Sequence, residues 1–399
     1  MSSAPLPLPL DYLAAGVHAG LKTDGGLDMA LVCSRRPATV VGRVTTNAVK
    51  AAPARHTEAV LRAGRPIRAV VVNTKFANAL TGHQGRRDVR RTVREAARLL
   101  RVAESEVIAH STGVIGVPMP MPKILAGLRQ AVARLSPAGG LDAATAIRTT
   151  DNVTKVATRT LTAGGIPVRV TGMAKGAGMI HPNMATMLAY VFTDAAVPRG
   201  LLDRMLGDAV AESFHCITVD GDTSTNDSVL LLANGAYGGP ELKPGSAGAK
   251  ALATAVKAVC LDLATAIVRD GEGATKFVTI AIRGARTPDD ARRASMAVAR
   301  SPLVKTAVFG ADPNWGRIMC AVGYSGARVD EYKTTVTIGG YRLYDRGRPV
   351  AWSKDRLKDI LSGKEVDILV ELGLGRGSAI AYTCDLTHGY VAFIGMYTT

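Results

Sequence analysis

The 399-residue chain reads as a layered α/β protein with mixed sheets. Three observations predict this. Runs of strand period and runs of helical period alternate, without the steady βαβ rhythm of a parallel sheet. Hairpin signals occur in both halves, and no segment repeats at a fixed period. The length suggests two or three structural units and enough chain to bury a large core.

Leu27 to Val32 and Thr39 to Val44 are apolar, β-rich runs and predict two early strands. Arg68 to Val72, between Pro66 and Asn73, predicts a third, and Asn73 to Gly82 a polar loop. Val89, Val93, Ala96, Ala97 and Leu100 recur at helical spacing, so Arg86 to Arg101 is expected to be a helix with one buried stripe. Val107 to His110 is a short strand running into Ser111-Thr112-Gly113. Helices are expected over Ile124 to Leu135 and Leu141 to Thr149, divided by Pro137-Ala138-Gly139-Gly140. Ile166 to Val170 alternates as a strand, and Met187 to Phe192 is an apolar strand closed by Thr193-Asp194. Then follow a helix (Leu201 to Phe214), a buried strand (Val229 to Leu232), a long helix (Ala249 to Arg269), a strand (Phe277 to Ile282) and a helix (Asp289 to Ala299). Thr334 to Tyr344 predicts a hairpin turning at Gly339-Gly340. Val366 to Leu372 and Ile380 to Thr383 are late strands.

At 47% hydrophobic and 21% charged residues, the chain has an ordinary globular profile. Its most apolar stretch, Ala251 to Val268, is interrupted by Lys257 and Asp262, which argues against a membrane span. Met1 to Leu10 lacks a basic region and is punctuated by Pro5, Pro7 and Pro9, unlike a signal peptide. The five cysteines are scattered and form no C-x-x-C pair, as expected of reduced thiols in a cytoplasmic protein without a zinc site. The formal charge of +16 could draw in acidic small molecules. Nucleic acid is not the expected partner, because aromatics for base stacking are few and Arg86-Arg87-Asp88-Val89-Arg90-Arg91 reads as the solvated face of a helix.

The stretch that organises the chain is Gly172-Met173-Ala174-Lys175-Gly176-Ala177-Gly178-Met179-Ile180-His181-Pro182-Asn183-Met184-Ala185-Thr186. Glycines permit unusual backbone bends, and a proline fixes its own φ and extends its predecessor. Such a segment can present the Thr186 hydroxyl to the carbonyl of Ala185, and an amino-terminal threonine would carry its own base. A turn and a core strand would read the same way from these residues alone. Similarly, Ser111-Thr112-Gly113 at a strand end can aim a hydroxyl and an N–H at one point, or be only a turn. Val219 to Asp227 is dense in oxygen side chains but lacks the distal glutamate of a calcium loop, and reads as a hydrogen-bonded structural loop. In Asp312-Pro313-Asn314-Trp315-Gly316-Arg317 a buried Arg–Asp pair is as good an expectation as a catalytic role.

Lys175-Gly176-x-Gly178-Met179-Ile180-x-Pro182-x-Met184-Ala185-Thr186-Met187-Leu188 resembles the cleavage segment of the ornithine acetyltransferase family, the bifunctional glutamate N-acetyltransferases. The resemblance extends over nearly the whole chain. It implies an α-β-β-α sandwich of mixed sheets in a self-processing enzyme of the N-terminal-nucleophile kind. It implies a cut between Ala185 and Thr186, giving interleaved fragments 1–185 and 186–399 that assemble as two copies of each. Thr186 would be the nucleophile, Thr112 and Gly113 the oxyanion hole, and Asn152, Lys175, Glu272, Ile394 and Thr399 would stand at substrate-contact positions. The implied reaction passes an acetyl group from N-acetylornithine to glutamate through an acyl-threonine, with neither cofactor nor metal.

The sequence departs from the family pattern in three places. Thr74-Lys75-Phe76 stands where the family usually has Ser-Gly-Asn, Asn152 where a threonine is common, and Ile394 where an asparagine contacts substrate. A pocket built to hydrogen-bond one group discriminates against ligands without it, so these changes point to altered recognition. A relative acting on another amino-acid-like amine, or one using water as acceptor as aminopeptidases do, therefore stays open.

Overall fold

The computed structural model describes residues 6–181 and 187–396. Among these, two sheets form, of eight and six strands. The first contains β1 (Tyr12–Val17), β2 (Met29–Val44), β3 (Ile67–Asn73), β4 (Val107–Ser111), β5 (Lys155–Ala163), β6 (Ile166–Lys175), β7 (Leu188–Thr193) and β8 (Ser228–Ala233). Its order is β4-β3-β2-β8-β7-β6-β5, with β1 also paired to β2. The β3–β4 and β7–β8 pairs are parallel and the rest antiparallel, so the sheet is mixed as the sequence predicts.

The two early strands expected from the sequence are one long strand. β2 pairs with β1 and β3 through its first half and with β8 through its second, and its register against β3 breaks between Cys33 and Ala38. Arg35, Arg36 and Pro37 lie exposed in that break. Proline has no N–H for a ladder, so a break here wastes no hydrogen bond. The sheet creases at this point and its halves pack face to face. Tyr12, Val32, Val70 and Ile108 of one half meet Met173, Tyr190, Phe192 and Leu230 of the other in a single buried cluster. The Tyr12 and Phe192 ring centroids are 5.2 Å apart across it.

The helices around this sheet are α1 (Ala52–Ala63), α2 (Gly82–Leu100), α3 (Met121–Ala133), α4 (Gly140–Ala146), α5 (Arg199–Ala211) and α6 (Ala247–Arg269). The α2–α3 and α5–α6 pairs cover the two outer faces, while Ala143, Ala144 and Ala146 of α4, with Val60 and Leu61 of α1, join the cluster between the halves. Val89, Val93 and Ala96 of α2 and Ile124 and Leu128 of α3 pack on Leu31, Val71 and Val107. On the other side, α5 and α6 bury Leu202, Leu206, Val256, Val259 and Leu263 against Val170, Val191 and Leu231. The result is the α-β-β-α sandwich expected. By length and composition α6 could cross a membrane, but here its apolar face lies on β5 and β6.

The second sheet has the order β12-β11-β10-β13-β9-β14, from β9 (Phe277–Ala285), β10 (Thr335–Ile338), β11 (Tyr341–Asp345), β12 (Arg348–Pro349), β13 (Glu365–Glu371) and β14 (Gly377–Cys384). It forms its own core with α7 (Pro288–Arg300), α8 (Pro302–Phe309), α9 (Trp315–Gly323) and α10 (Lys354–Ser362), and α11 (His388–Met396) follows. The β10–β11 hairpin turns at Gly339-Gly340 as predicted, both at positive φ. The expected Arg–Asp pair is absent among the described residues: the Arg317 guanidinium donates to the Leu303 carbonyl at 2.8 Å, and Asp312 accepts from Asn314.

One buried polar group spans the crease. Thr57 Oγ1 donates to the Pro53 carbonyl, so His110 Nε2–H donates to Thr57 and Nδ1 accepts from Tyr190 O–H. Burial, with repulsion from His56, pushes His110 from 6.5 down to about 3. Its neutral form is the native one. Between those values the unfolded chain binds one more proton than the folded chain. This contribution is therefore complete above about 6.5 and declines by about 1.4 kcal/mol per pH unit as the pH falls towards 3. Urea midpoints measured from pH 7 to pH 5 should fall, and more shallowly after His110→Gln.

Candidate active site

β4 and β6 end, and β7 and β8 begin, at one end of the sandwich. A cavity of about 270 Å³ opens there. Thr112, Gly113, Lys175, Glu272 and Ile394 line it, so the structure brings together five positions singled out in the sequence. Asn152 is elsewhere. Its side chain is exposed and its N–H donates to Asp270 Oδ2 at 3.0 Å, while Thr149 and Thr150 line the cavity instead. Ala185, Thr186 and Thr399 lie outside the described residues. The segment holding the first two leaves after His181, two residues past Met179 on the cavity wall. It returns at Met187, whose N–H is held by Asp227, next to Asn226 on the same wall.

Thr112 N–H donates to the Asn73 carbonyl and Val114 N–H to the Lys75 carbonyl, each at 3.0 Å. Between them, Gly113 N–H has no acceptor among the described residues. Gly113 sits at φ +133°, and a Cβ there would lie 2.2 Å from the Lys75 carbonyl carbon, so only glycine fits. The departing loop Thr74-Lys75-Phe76 thus supports this turn with its backbone, while the Lys75 side chain is exposed. Lys175 Nζ donates to Thr112 Oγ1 at 3.3 Å. An ammonium only donates, so the Thr112 O–H keeps its own proton for another acceptor. A free N–H and a free O–H side by side are what an oxyanion requires. Thr112→Val should lower kcat about 10²–10³-fold with little change in KM, as expected for a donor used mainly in the transition state; steady-state kinetics check it.

Buried charge fixes this wall. Burial lowers the Lys175 pKa, and Asp151 opposes the shift. Burial works against the Asp151 carboxylate, but Lys175, Lys155 and the Gly176 N–H outweigh it and hold it at about 2. Lys155, its side chain fully buried, bridges Asp151 at 2.7 Å and Asp270 at 2.5 Å. Asp151 also accepts from Gly176 N–H at 2.7 Å, and Asp270 from the N–H groups of Asn152 and Val153. The end of β6 and the turn before β5 are thereby tied together.

Glu272 presses on Gly178, where a Cβ would lie 1.9 Å from Glu272 Oε2. Burial raises its pKa, a hydrogen bond from Thr150 opposes this, and Asp220 adds to it. Its Oε2 has no hydrogen-bond partner among the described residues. A carboxyl so placed becomes favourably ionised once a cation arrives, which suits a ligand bearing an amine. The oxygen-rich stretch 219–227 is hydrogen-bonded, as read from the sequence, and its Asp220, Asp222, Ser224 and Asn226 line the cavity. Asp220 accepts from Met179 and Ile180 N–H at 2.5 and 2.9 Å, and Asn226 Nδ2 donates to the Ala77 and Ser111 carbonyls at 2.6 and 2.8 Å. Thr149, Thr150 and Tyr390 were not singled out in the sequence, where no local pattern sets them apart.

The sequence profile of the ArgJ family matches residues 13–399. The chain belongs to the ArgJ family. The expectation of an ornithine acetyltransferase-type enzyme stands at that level. The arginine biosynthesis bifunctional protein ArgJ of Symbiobacterium thermophilum is 49% identical, over 98% of this chain and 98% of its own. That of Geobacter sulfurreducens is also 49% identical, over 96% and 98%. The crystal structure of the arginine biosynthesis bifunctional protein ArgJ from Bacillus halodurans has a TM-score of 0.51 at 39% identity, matched over 52% of this chain and 98% of that one. In this ArgJ-family chain Ile394 puts an aliphatic side chain on the cavity wall beside Tyr390.

Proposed function

We propose that this ArgJ-family chain cuts itself between Ala185 and Thr186 and then transfers acetyl groups between amino-acid amines, from N-acetylornithine to glutamate. The observation that carries the proposal is the pairing of the Gly113 N–H, unpartnered among the described residues, with the Thr112 hydroxyl, beside Lys175 and Glu272, in the cavity where the chain leaves after residue 181 and returns at 187. The Thr186 hydroxyl attacks the donor carbonyl, and the oxygen that gains charge is held by Thr112 and Gly113. The donor amine leaves, and the acceptor amine takes the acyl group from Thr186. Ping-pong kinetics follow. Glu272 suits the cationic end of an ornithine-like donor. Fragments 1–185 and 186–399 would stay together and pair with a second copy.

The test is intact mass and N-terminal sequencing of the purified protein, together with an assay of N-acetylornithine and glutamate. Two fragments, one beginning Thr186-Met187-Leu188, with saturable transfer are expected. A single uncut chain that still transfers would overturn the proposal.

Ile394 favours a second reading, in which the core chemistry is kept and the amine differs. Competition among acceptor amines at fixed donor decides it: a kcat/KM for glutamate well below that for another amine would favour the altered substrate.

A further inference from the structure

A smaller hollow of about 110 Å³ adjoins the catalytic cavity. Lys22, Thr23, Asp24, Lys75 and Thr149 line it, and Thr149 also lines the cavity. The two spaces differ in charge. The cavity wall carries the carboxyls of Asp220, Asp222 and Glu272 and one ammonium, Lys175, which already faces Asp151 and Thr112. The hollow carries two ammonium groups against the carboxylate of Asp24, which accepts the Gly26 N–H at 2.9 Å. Lys22 Nζ donates to the neutral Leu27 carbonyl at 2.9 Å. The Lys75 side chain has no hydrogen bond or ion pair among the described residues. Near Lys22, the Arg148 guanidinium donates to the carbonyls of Asp151 and Asn152, which do not cancel its charge. Lys75 also stands beside the oxyanion donors. Its carbonyl accepts the Val114 N–H, and its Cα lies 2.6 Å from where a Cβ on Gly113 would be. At φ +71° it holds a backbone conformation that suits glycine better than lysine. A glycine would fit there unstrained; the lysine supplies an ammonium instead.

We propose that Lys22 and Lys75 form a subsite for the side-chain carboxylate of an acidic acceptor amine, while the cationic side chain of the donor turns the other way, to Glu272. This deepens the reading of acetyl transfer to glutamate and rests on it. In a ping-pong exchange, donor and acceptor present their amines to the same acyl carbon in turn. Their side chains are opposite in charge. On the cavity wall a glutamate side chain would meet the carboxyls of Asp220, Asp222 and Glu272, and like charges brought together oppose binding. Turned past Thr149, it meets the ammonium groups of Lys22 and Lys75. Burial lowers the Lys22 pKa, with Asp24 and Asp28 opposing, so an arriving carboxylate favours its charged form. Neither lysine touches the reacting atoms; together they select the acceptor.

Initial rates of the purified protein test this, with N-acetylornithine saturating and glutamate or glutamine as acceptor. Glutamine has the same length and the same amine but no side-chain charge. The native chain should favour glutamate. K75G should raise the KM for glutamate about 3–5-fold, as for an exposed charge pair, and K22M about 10-fold, as for a half-buried one. For both, kcat, the KM for glutamine and the KM for N-acetylornithine should change little. Added salt should raise the native KM for glutamate more than that of K75G. K75G places glycine at a left-handed position and should keep a native-like melting temperature, which separates lost binding from lost folding. A KM shift shared equally by glutamate and glutamine, or no shift in either, overturns the subsite and leaves acetyl transfer standing. No transfer to glutamate by the native chain overturns the reading beneath, and the subsite with it.

Discussion

Thr186→Ala should leave one uncut chain and no measurable acyl transfer. Alanine has no oxygen to attack the carbonyl of residue 185, and no later acyl carrier. The rest of the wall should be unaffected, because Met187 N–H to Asp227, Lys175 Nζ to Thr112 and Lys155 to Asp151 do not involve the residue 186 side chain. The uncut variant should therefore melt cooperatively and still bind an acylated donor, measurable by calorimetry. Thr186→Ser, which keeps a hydroxyl, should still be cut, though at a different rate. Transfer by Thr186→Ala at more than a trace of the native rate would remove Thr186 from the mechanism.

Lys155→Met should destabilise the fold by about 3–5 kcal/mol, the usual result of removing one partner from a buried ionic cluster. Methionine matches the lysine stem but leaves Asp270 and one side of Asp151 without their cation. Asp151 keeps Lys175 nearby and the Gly176 N–H, so the larger deficit falls on Asp270 and on the Asn152–Val153 turn it anchors. Denaturant unfolding should show a lowered midpoint with an unchanged slope. Activity of the folded fraction should fall as well, because Asp151 and Lys175 move together. A variant as stable as the native chain would mean that the cluster relaxes without its central lysine.

Much of this was legible from local pattern. The stripe Val89, Val93, Ala96 named the buried face of α2, and Gly339-Gly340 named the β10–β11 turn, because helical spacing and positive-φ glycines act within a few residues. What escaped depends on distant partners. β5 carries Lys155, Arg159 and four exposed positions among its nine, so it shows no clear apolar alternation; it is a strand because β6 pairs with it residue for residue. β2 reads as two strands because Arg35-Arg36-Pro37 looks like a loop, although the backbone passes through it in extended form. Thr112, Gly113, Lys175 and Glu272 were placed by resemblance across the whole chain, not by any property of their neighbours. Thr150 and Tyr390 come to the cavity only by folding, and Asn152 faces solvent because its backbone, not its side chain, is used by Asp270.

β7 lies between β6 and β8, and β2 is paired along its second half to β8. A break between residues 185 and 186 would fall between β6 and β7, leaving two peptides stitched through a common ladder. Neither could depart without tearing strands from a closed interior, so dilution should not dissociate the products, and a denaturing agent should release both in one step. Made separately, each would present raw strand edges to the other and to itself, and the usual outcome for such pieces is insoluble tangles. Severing the backbone only after folding would avoid that hazard.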